Sequence, residues 1–163
     1  MTKTFLNCVL GLMLVVMLGH TGAAMANVSM LKTWSFDHPT YLHDHPFATK
    51  HLLVQVSEGD PARWKVALNM TQQVLIYFGQ DNLQIVVVAF GPGLKMLLKG
   101  SPVATFIQSL NAEGVEFDAC HNTMQAMAKD GHLPELVPQA VIVPAGAGRI
   151  MQLEQHGFDY IKP

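Results

Sequence analysis

Leu83-Gln84-Ile85-Val86-Val87-Val88-Ala89-Phe90, closed by Gly91-Pro92-Gly93, is the stretch that decides the fold. A strand with one wet face alternates apolar and polar residues. This one is apolar throughout except at Gln84, as befits a central parallel strand covered by helices on both faces. Upstream, His51-Leu-Leu-Val-Gln-Val-Ser57 is a second run of β type. Glu58-Gly-Asp60 turns it into a helix, with Asp60 suited to the N-cap and Pro61 to the first helical position. From Pro61 to Phe78, Trp64, Ala67, Leu68, Thr71, Val74, Leu75 and Phe78 recur at helical spacing, and Gly79 stops the helix.

Downstream, the spacing predicts a short helical piece over Leu94 to Leu98 and a helix opening at Ser101-Pro102 that runs to Asn111. A strand over Val115 to Ala119 and a helix over Thr123 to Lys129 follow. The fourth strand spans Ala140 to Val143, the last helix Arg149 to His156, and a fifth strand Phe158 to Ile161. Strand and helix alternate, which indicates a parallel sheet with helices on both faces. The fold expected is a three-layer flavodoxin-like α/β domain with a mainly parallel sheet of about five strands.

The chain opens with Met1-Thr-Lys-Thr4, an apolar run from Phe5 to Leu18, and Ala24-Met25-Ala26 before Asn27. This is the pattern of a cleavable secretory signal peptide, with an apolar core too short for a comfortable membrane span. The expected division is a signal peptide over 1–26, an irregular Pro- and His-containing arm over 27–49, and one α/β domain over 50–163. The mature chain is expected to be periplasmic or secreted, with no stable membrane association after cleavage. Cleavage leaves 137 of 163 residues, with nine Lys and Arg against twelve Asp and Glu, a balance of −3. With no basic patch in view, nucleic-acid binding is not expected.

Of two cysteines, Cys8 lies in the leader, so Cys120 is the only one the mature chain keeps. Export normally favours paired cysteines. A single thiol excludes an intramolecular disulfide and a Cys-x-x-Cys cycle, leaving it buried and inert, joined to another chain, or reactive. Cys120 ends a predicted strand where a helix begins, and in open parallel sheets ligands bind beyond such strand ends. The N–H groups of the following turn, at Asn122 and Thr123, favour a thiolate there.

Gly91-Pro-Gly93 and Gly146-Ala-Gly148 also follow strands and precede helices. They offer N–H donors for a small anion, with Arg149 as counter-charge, although tight turns alone explain them as well. Neither fits G-x-G-x-x-G or a Walker A loop, and no cofactor is indicated. Glu116 and Asp118 share a face of the Cys120 strand. His38, His43 and His45, with Asp37 and Asp44, form the densest metal-capable group. His-x-His in an irregular arm lacks fixed geometry, so a solvated arm, packed on a neighbouring subunit, is the preferred reading and metal the weaker alternative. No G-x-S-x-G or H-E-x-x-H occurs, which lowers the case for ordinary hydrolases.

Taken together, Gln55-Val-Ser-Glu-Gly-Asp-Pro61, Val87-Val-Ala-Phe-Gly-Pro-Gly-Leu94, Gly114-Val-Glu-Phe-Asp-Ala-Cys-His-Asn-Thr-Met124, Val143-Pro-Ala-Gly146 and Gly157-Phe-Asp-Tyr-Ile-Lys-Pro163 resemble the DsrE/DsrF-like sulfur-relay family, in particular its exported stand-alone branch. The resemblance implies a small α/β domain assembled into homo-oligomers, trimers or hexamers, and a cysteine at the position of Cys120 that carries sulfur as a persulfide. It implies a thiol or persulfide small molecule, or an acceptor protein, as partner. The better understood relatives work in the cytoplasm with partner subunits, whereas this chain reads as exported. The competing expectation is a noncatalytic oligomeric binding or redox-sensing module of the same fold.

Overall fold

The computed structural model describes residues 26–163, and the expected leader, apart from Ala26, lies outside them. Five strands, β1 (Lys50–Val56), β2 (Leu83–Ala89), β3 (Glu116–Cys120), β4 (Ala140–Val143) and β5 (Asp159–Ile161), form one sheet in the order β4-β3-β2-β1-β5. Every pairing is parallel. The fold is α/β, flavodoxin-like and three-layered. β2 lies at its centre and is buried along its whole length.

α1 (Pro61–Phe78) forms as its sequence dictates: Oδ1 of Asp60 accepts the Ala62 N–H at 2.9 Å, Pro61 opens the helix, and Gly79 at φ 81° ends it. Trp64, Ala67, Leu68, Thr71 and Leu75 are buried. Phe78, expected on the same face, is exposed. An 18-residue helix is about 27 Å long and overhangs a seven-residue strand of about 23 Å. The short helix expected over Leu94 to Leu98 is a 3₁₀ segment, Gly91–Leu97. α2 (Ala104–Ala112) starts later than Ser101-Pro102 suggests, because the Ser101 hydroxyl accepts the Val103 N–H at 3.4 Å and a turn intervenes. α3 (His121–Met127) and α4 (Gly146–Gln155) begin earlier than expected, α3 directly at the end of β3 and α4 after Pro144 and Ala145.

Topology dictates how the layers fill. From β1 to β4 each step moves one strand in the same direction, and right-handed crossovers keep the connecting helices on one face. α1, α2 and α3 accordingly share a core with Leu52, Val54, Ile85, Val87, Phe117 and Ala119. The return from β4 to β5 crosses the whole sheet the other way and lays α4 on the second face, where Leu153 and Phe158 meet Leu53, Val86 and Val88. Three helices on one side and one on the other leave part of the second face short of cover.

The N-terminal arm supplies it. Expected to be solvated or to pack on a neighbouring subunit, it instead lies on its own sheet. The Met30 N–H donates to Ile142 O and the Ile142 N–H to Val28 O, both at 2.8 Å, a parallel bridge that extends the β4 edge. Nδ2 of Asn27 donates to Val137 O at 2.8 Å and Ala140 O at 3.0 Å. Met30 and Trp34 then cover Val141 and Val143, which no helix reaches. Burial of these apolar side chains is what holds an otherwise irregular segment in place.

Gly93 shows how tightly the carboxyl edge of the sheet is packed. A Cβ there would stand 2.3 Å from Val56 O and 2.8 Å from the Ser57 Cα. Both obstacles are backbone, so side-chain rotation gives no relief. Gly93→Ala is expected to destabilise the fold by about 3 kcal/mol or more, read as a lowered urea midpoint, whereas Gly100→Ala, whose Cβ meets nothing within 4 Å, bears only the strain of its positive φ.

Candidate functional site

Cys120 ends β3 and is the N-cap of α3, with extended dihedrals of φ −68° and ψ 113°. It is the free cysteine of the described residues and is 4% exposed. Side chains alternate along a strand. Phe117 and Ala119 enter the core under α1 to α3, so Glu116, Asp118 and Cys120 line the opposite face, the one that α4 and the arm cover. Cys120 pairs with Val143 of β4. Gly146, in the first turn of α4, packs so closely on Phe90 that a Cβ would come within 2.9 Å of that ring's Cβ.

The sequence-predicted site residues do converge on this edge, but most of their hydrogen-bonding capacity is already used. The Gly91 N–H donates to Oγ1 of Thr123 at 2.9 Å. The Gly93 N–H bonds Ser57 O at 3.2 Å and Phe90 O at 3.1 Å, and the Asn122 N–H donates to Pro144 O at 3.3 Å. These groups knit the ends of β1, β2, β3 and β4 together; they are not an open anion cradle. Gly146 and Gly148 belong to the first turn of α4, which no side chain caps. The first turn of α3 also lacks a side-chain cap, so the uncapped helix starts of this edge are those of α3 and α4.

Arg149 overturns its expected role most clearly. Read as a counter-charge at the glycine turns, it is fully buried one helical turn further along α4. Its Nε donates to Oδ2 of Asp118 at 2.8 Å, Nη2 to Oε1 of Glu116 at 2.8 Å and to Thr40 O at 2.9 Å, and Nη1 to Oε1 of Gln152 at 2.7 Å. Trp34 and Tyr41 of the arm lie over it, with ring centroids 5.9 and 5.4 Å from Cζ. A guanidinium taken out of water must find charged partners, and the two carboxylates of β3 are the only ones this face of β3 offers.

The same polar side chains bind the arm by its backbone. Glu116 accepts the Leu42 N–H. Gln84 donates to His43 O at 2.9 Å and accepts the His45 N–H at 3.1 Å, while Nε2 of Gln152 donates to Ser35 O at 2.6 Å. Two buried carboxylates face one guanidinium, and Oδ1 of Asp118 is buried without a donor. Burial, followed by the charge of Glu116, pushes the Asp118 carboxyl well above its ordinary range, against the pull of Arg149. Burial likewise raises the Tyr41 phenol.

Among the described residues, no group of three or more His, Cys, Asp or Glu is arranged to hold an ion. Nε2 of His43 lies 3.0 Å from Nδ2 of Asn111, and burial, then the neighbouring His45, holds its imidazole below the ordinary range. His45 packs against Gly114, where a Cβ would come within 2.5 Å of Nε2. Both line a hollow at the amino ends of the strands, remote from Cys120. The cleft at the carboxyl ends of β1 and β5 is lined by Ser57, Glu58, Arg63 and Lys162 and encloses about 10 Å³, room for one water.

Removing one partner from the buried cluster strands the others. Arg149→Met is expected to cost about 3–5 kcal/mol at neutral pH, a deficit that shrinks toward acid pH as the stranded carboxylates take up protons. In the wild type the sign follows from Asp118. The folded chain keeps a proton that the unfolded chain releases above the ordinary carboxyl range, so this contribution is full below that range and is lost as pH rises through the raised folded pKa. Urea titrations over a pH series check both statements.

No protein-family model and no curated protein matches the chain. Among solved structures it is similar to a protein of unknown function, MTH1491 from Methanobacterium thermoautotrophicum, with 26% sequence identity and a TM-score of 0.64. The match covers 70% of this chain and 99% of that one, and supports the α/β fold described above.

Proposed function

We propose that the chain is an exported sulfur carrier that holds sulfane sulfur as a persulfide on Cys120, as its resemblance to the DsrE/DsrF-like family implies. One observation carries the reading: the thiol that would remain in the mature chain ends β3 on the face where the uncapped first turn of α4 begins. Helix N-termini favour anions, and the species to be stabilised, a thiolate and then a persulfide, are anions.

The Cys120 thiolate attacks the outer sulfur of a small persulfide or polysulfide. A new S–S bond forms on Cys120, the donor's S–S bond breaks, and its electron pair leaves with the departing thiolate. An acceptor thiolate then attacks the outer sulfur and regenerates Cys120. With one cysteine per mature chain, that acceptor is another molecule. Burial at 4% exposure restricts attack to small donors and shields the loaded sulfur from bulk oxidants.

Assembly into homo-oligomers belongs to the same proposal, and α1 supports it. From Val66 to Phe78 the helix contains no Asp, Glu, Lys or Arg, although Ile76 is 68% and Tyr77 82% exposed. Solvated helix faces ordinarily carry charge, so a face of this kind fits a second copy of the chain. The Ile76→Glu, Tyr77→Glu double variant is expected to sediment as a smaller species than the wild type; an unchanged sedimentation coefficient places any subunit contact elsewhere.

The carrier reading is tested by the intact mass of the mature protein after exposure to glutathione persulfide, with Cys120→Ser alongside. A reductant-reversible gain of whole sulfur atoms in wild type alone is the expected result. No gain, with a thiol that reacts only after unfolding, refutes the carrier and leaves the noncatalytic binding module, whose ligand affinity would survive Cys120→Ser.

A further inference from the structure

Glu116, Asp118 and Cys120 project from the same face of β3 at successive two-residue steps. Asp118 and Cys120 are therefore separated by about 7 Å of strand. Asp118 is flanked by Val88 of β2 and Val141 of β4 in the register, and Cys120 by Val143. Nothing polar from the neighbouring strands screens one from the other. The charged and titratable groups that face Asp118 are Glu116 on its own strand and Arg149 from α4, while Tyr41 of the arm lies over Arg149 with the charges of Glu116 and Asp44 acting on it. Their balance is uneven, since a single guanidinium serves two carboxylates. Oδ1 of Asp118, fully buried, has no donor.

We propose that Asp118 is a positioning residue that sets the charge behind the Cys120 thiol: with a proton it keeps the Glu116–Arg149 cluster neutral and lets the thiolate form, and without one it opposes the thiolate. The orphaned oxygen supports this. A proton on Asp118 removes the excess negative charge and turns an acceptor without a donor into a donor within reach of Glu116. Two unit charges about 7 Å apart in a partly dry interior disfavour one another by more than a tenfold factor in an equilibrium constant. On this proposal, ionisation of either group resists that of the other. The arm belongs to the device, because the Leu42 N–H on Glu116 and Thr40 O on Arg149 fix the two groups between which the proton is held.

Sulfur transfer gives this coupling its biological use, so that use rests on the carrier reading; the coupling itself is measured without sulfur. The experiment is a pH titration of thiolate absorbance in the far ultraviolet on the mature protein, with Cys120→Ser as the blank. Wild type is expected to give a shallow curve spread over two steps. Asp118→Asn, a neutral isostere, is expected to give one step with its midpoint lower by about one pH unit, or about tenfold more thiolate on the acid side. Glu116→Gln balances the cluster by the other route and is expected to give the same single step, so the test survives if one variant fails to fold. Superimposed curves for wild type and a folded variant overturn the proposal. Sulfur loading with superimposed curves removes the coupling alone; shifted curves with no sulfur loading remove the carrier alone.

Discussion

The guanidinium of Arg149 joins three parts of the molecule at one buried point. Its four donated bonds reach β3 through Glu116 and Asp118, its own helix through Gln152, and the arm through Thr40. A buried ion cluster is seldom a net source of stability compared with apolar packing, because each charge loses its hydration. Its value here is specificity. The second face of the sheet has a single helix, and a purely apolar arm could lie across it in many registers. Directional bonds to Thr40 O, the Leu42 N–H, His43 O and the His45 N–H allow one.

That division of labour explains why one half of the fold was legible in the sequence and the other was not. β1, α1, β2, β3 and β4 satisfy their own backbone groups in ladders or helical turns, so side-chain periodicity reports them, and each lies within a few residues of its expected span. The arm satisfies its backbone largely through side chains distant in sequence: Gln84, Glu116, Arg149 and Gln152. No local pattern records such bonds. The sequence does carry a trace of them in Glu116 and Asp118, two acidic residues on one face of a strand flanked by fully buried ones. That is a signal of a buried cation, but it does not say that Arg149 is the cation.

The glycine turns teach a related point about sites. Gly-Pro-Gly after a strand is compatible with a ligand cradle and with tight packing, and donor occupancy decides between them. Here the Gly91 and Gly93 N–H groups are taken by Thr123 and by backbone carbonyls, and the missing Cβ of Gly93 makes room for Val56 O. The glycines are required by the protein's own chain. What they position is still functional in consequence, since the bond from Gly91 to Thr123 fixes the first turn of α3 and with it the end of β3 that bears Cys120.

Cys120 also lies where neighbouring strand connections leave for opposite faces of the sheet, α3 from β3 and α4 from β4. In open α/β sheets ligands bind at such points, whereas the cleft at the ends of β1 and β5 encloses space for one water. A site at the end of β3 draws its chemistry from its immediate neighbours. For an anion those neighbours are the start of α4 on one side and the carboxylates of β3 on the other, acting with opposite sign. The first is a dipole of backbone groups that do not titrate. The second depends on a proton, and this makes the charge state of the buried cluster the variable part of the field at the thiol.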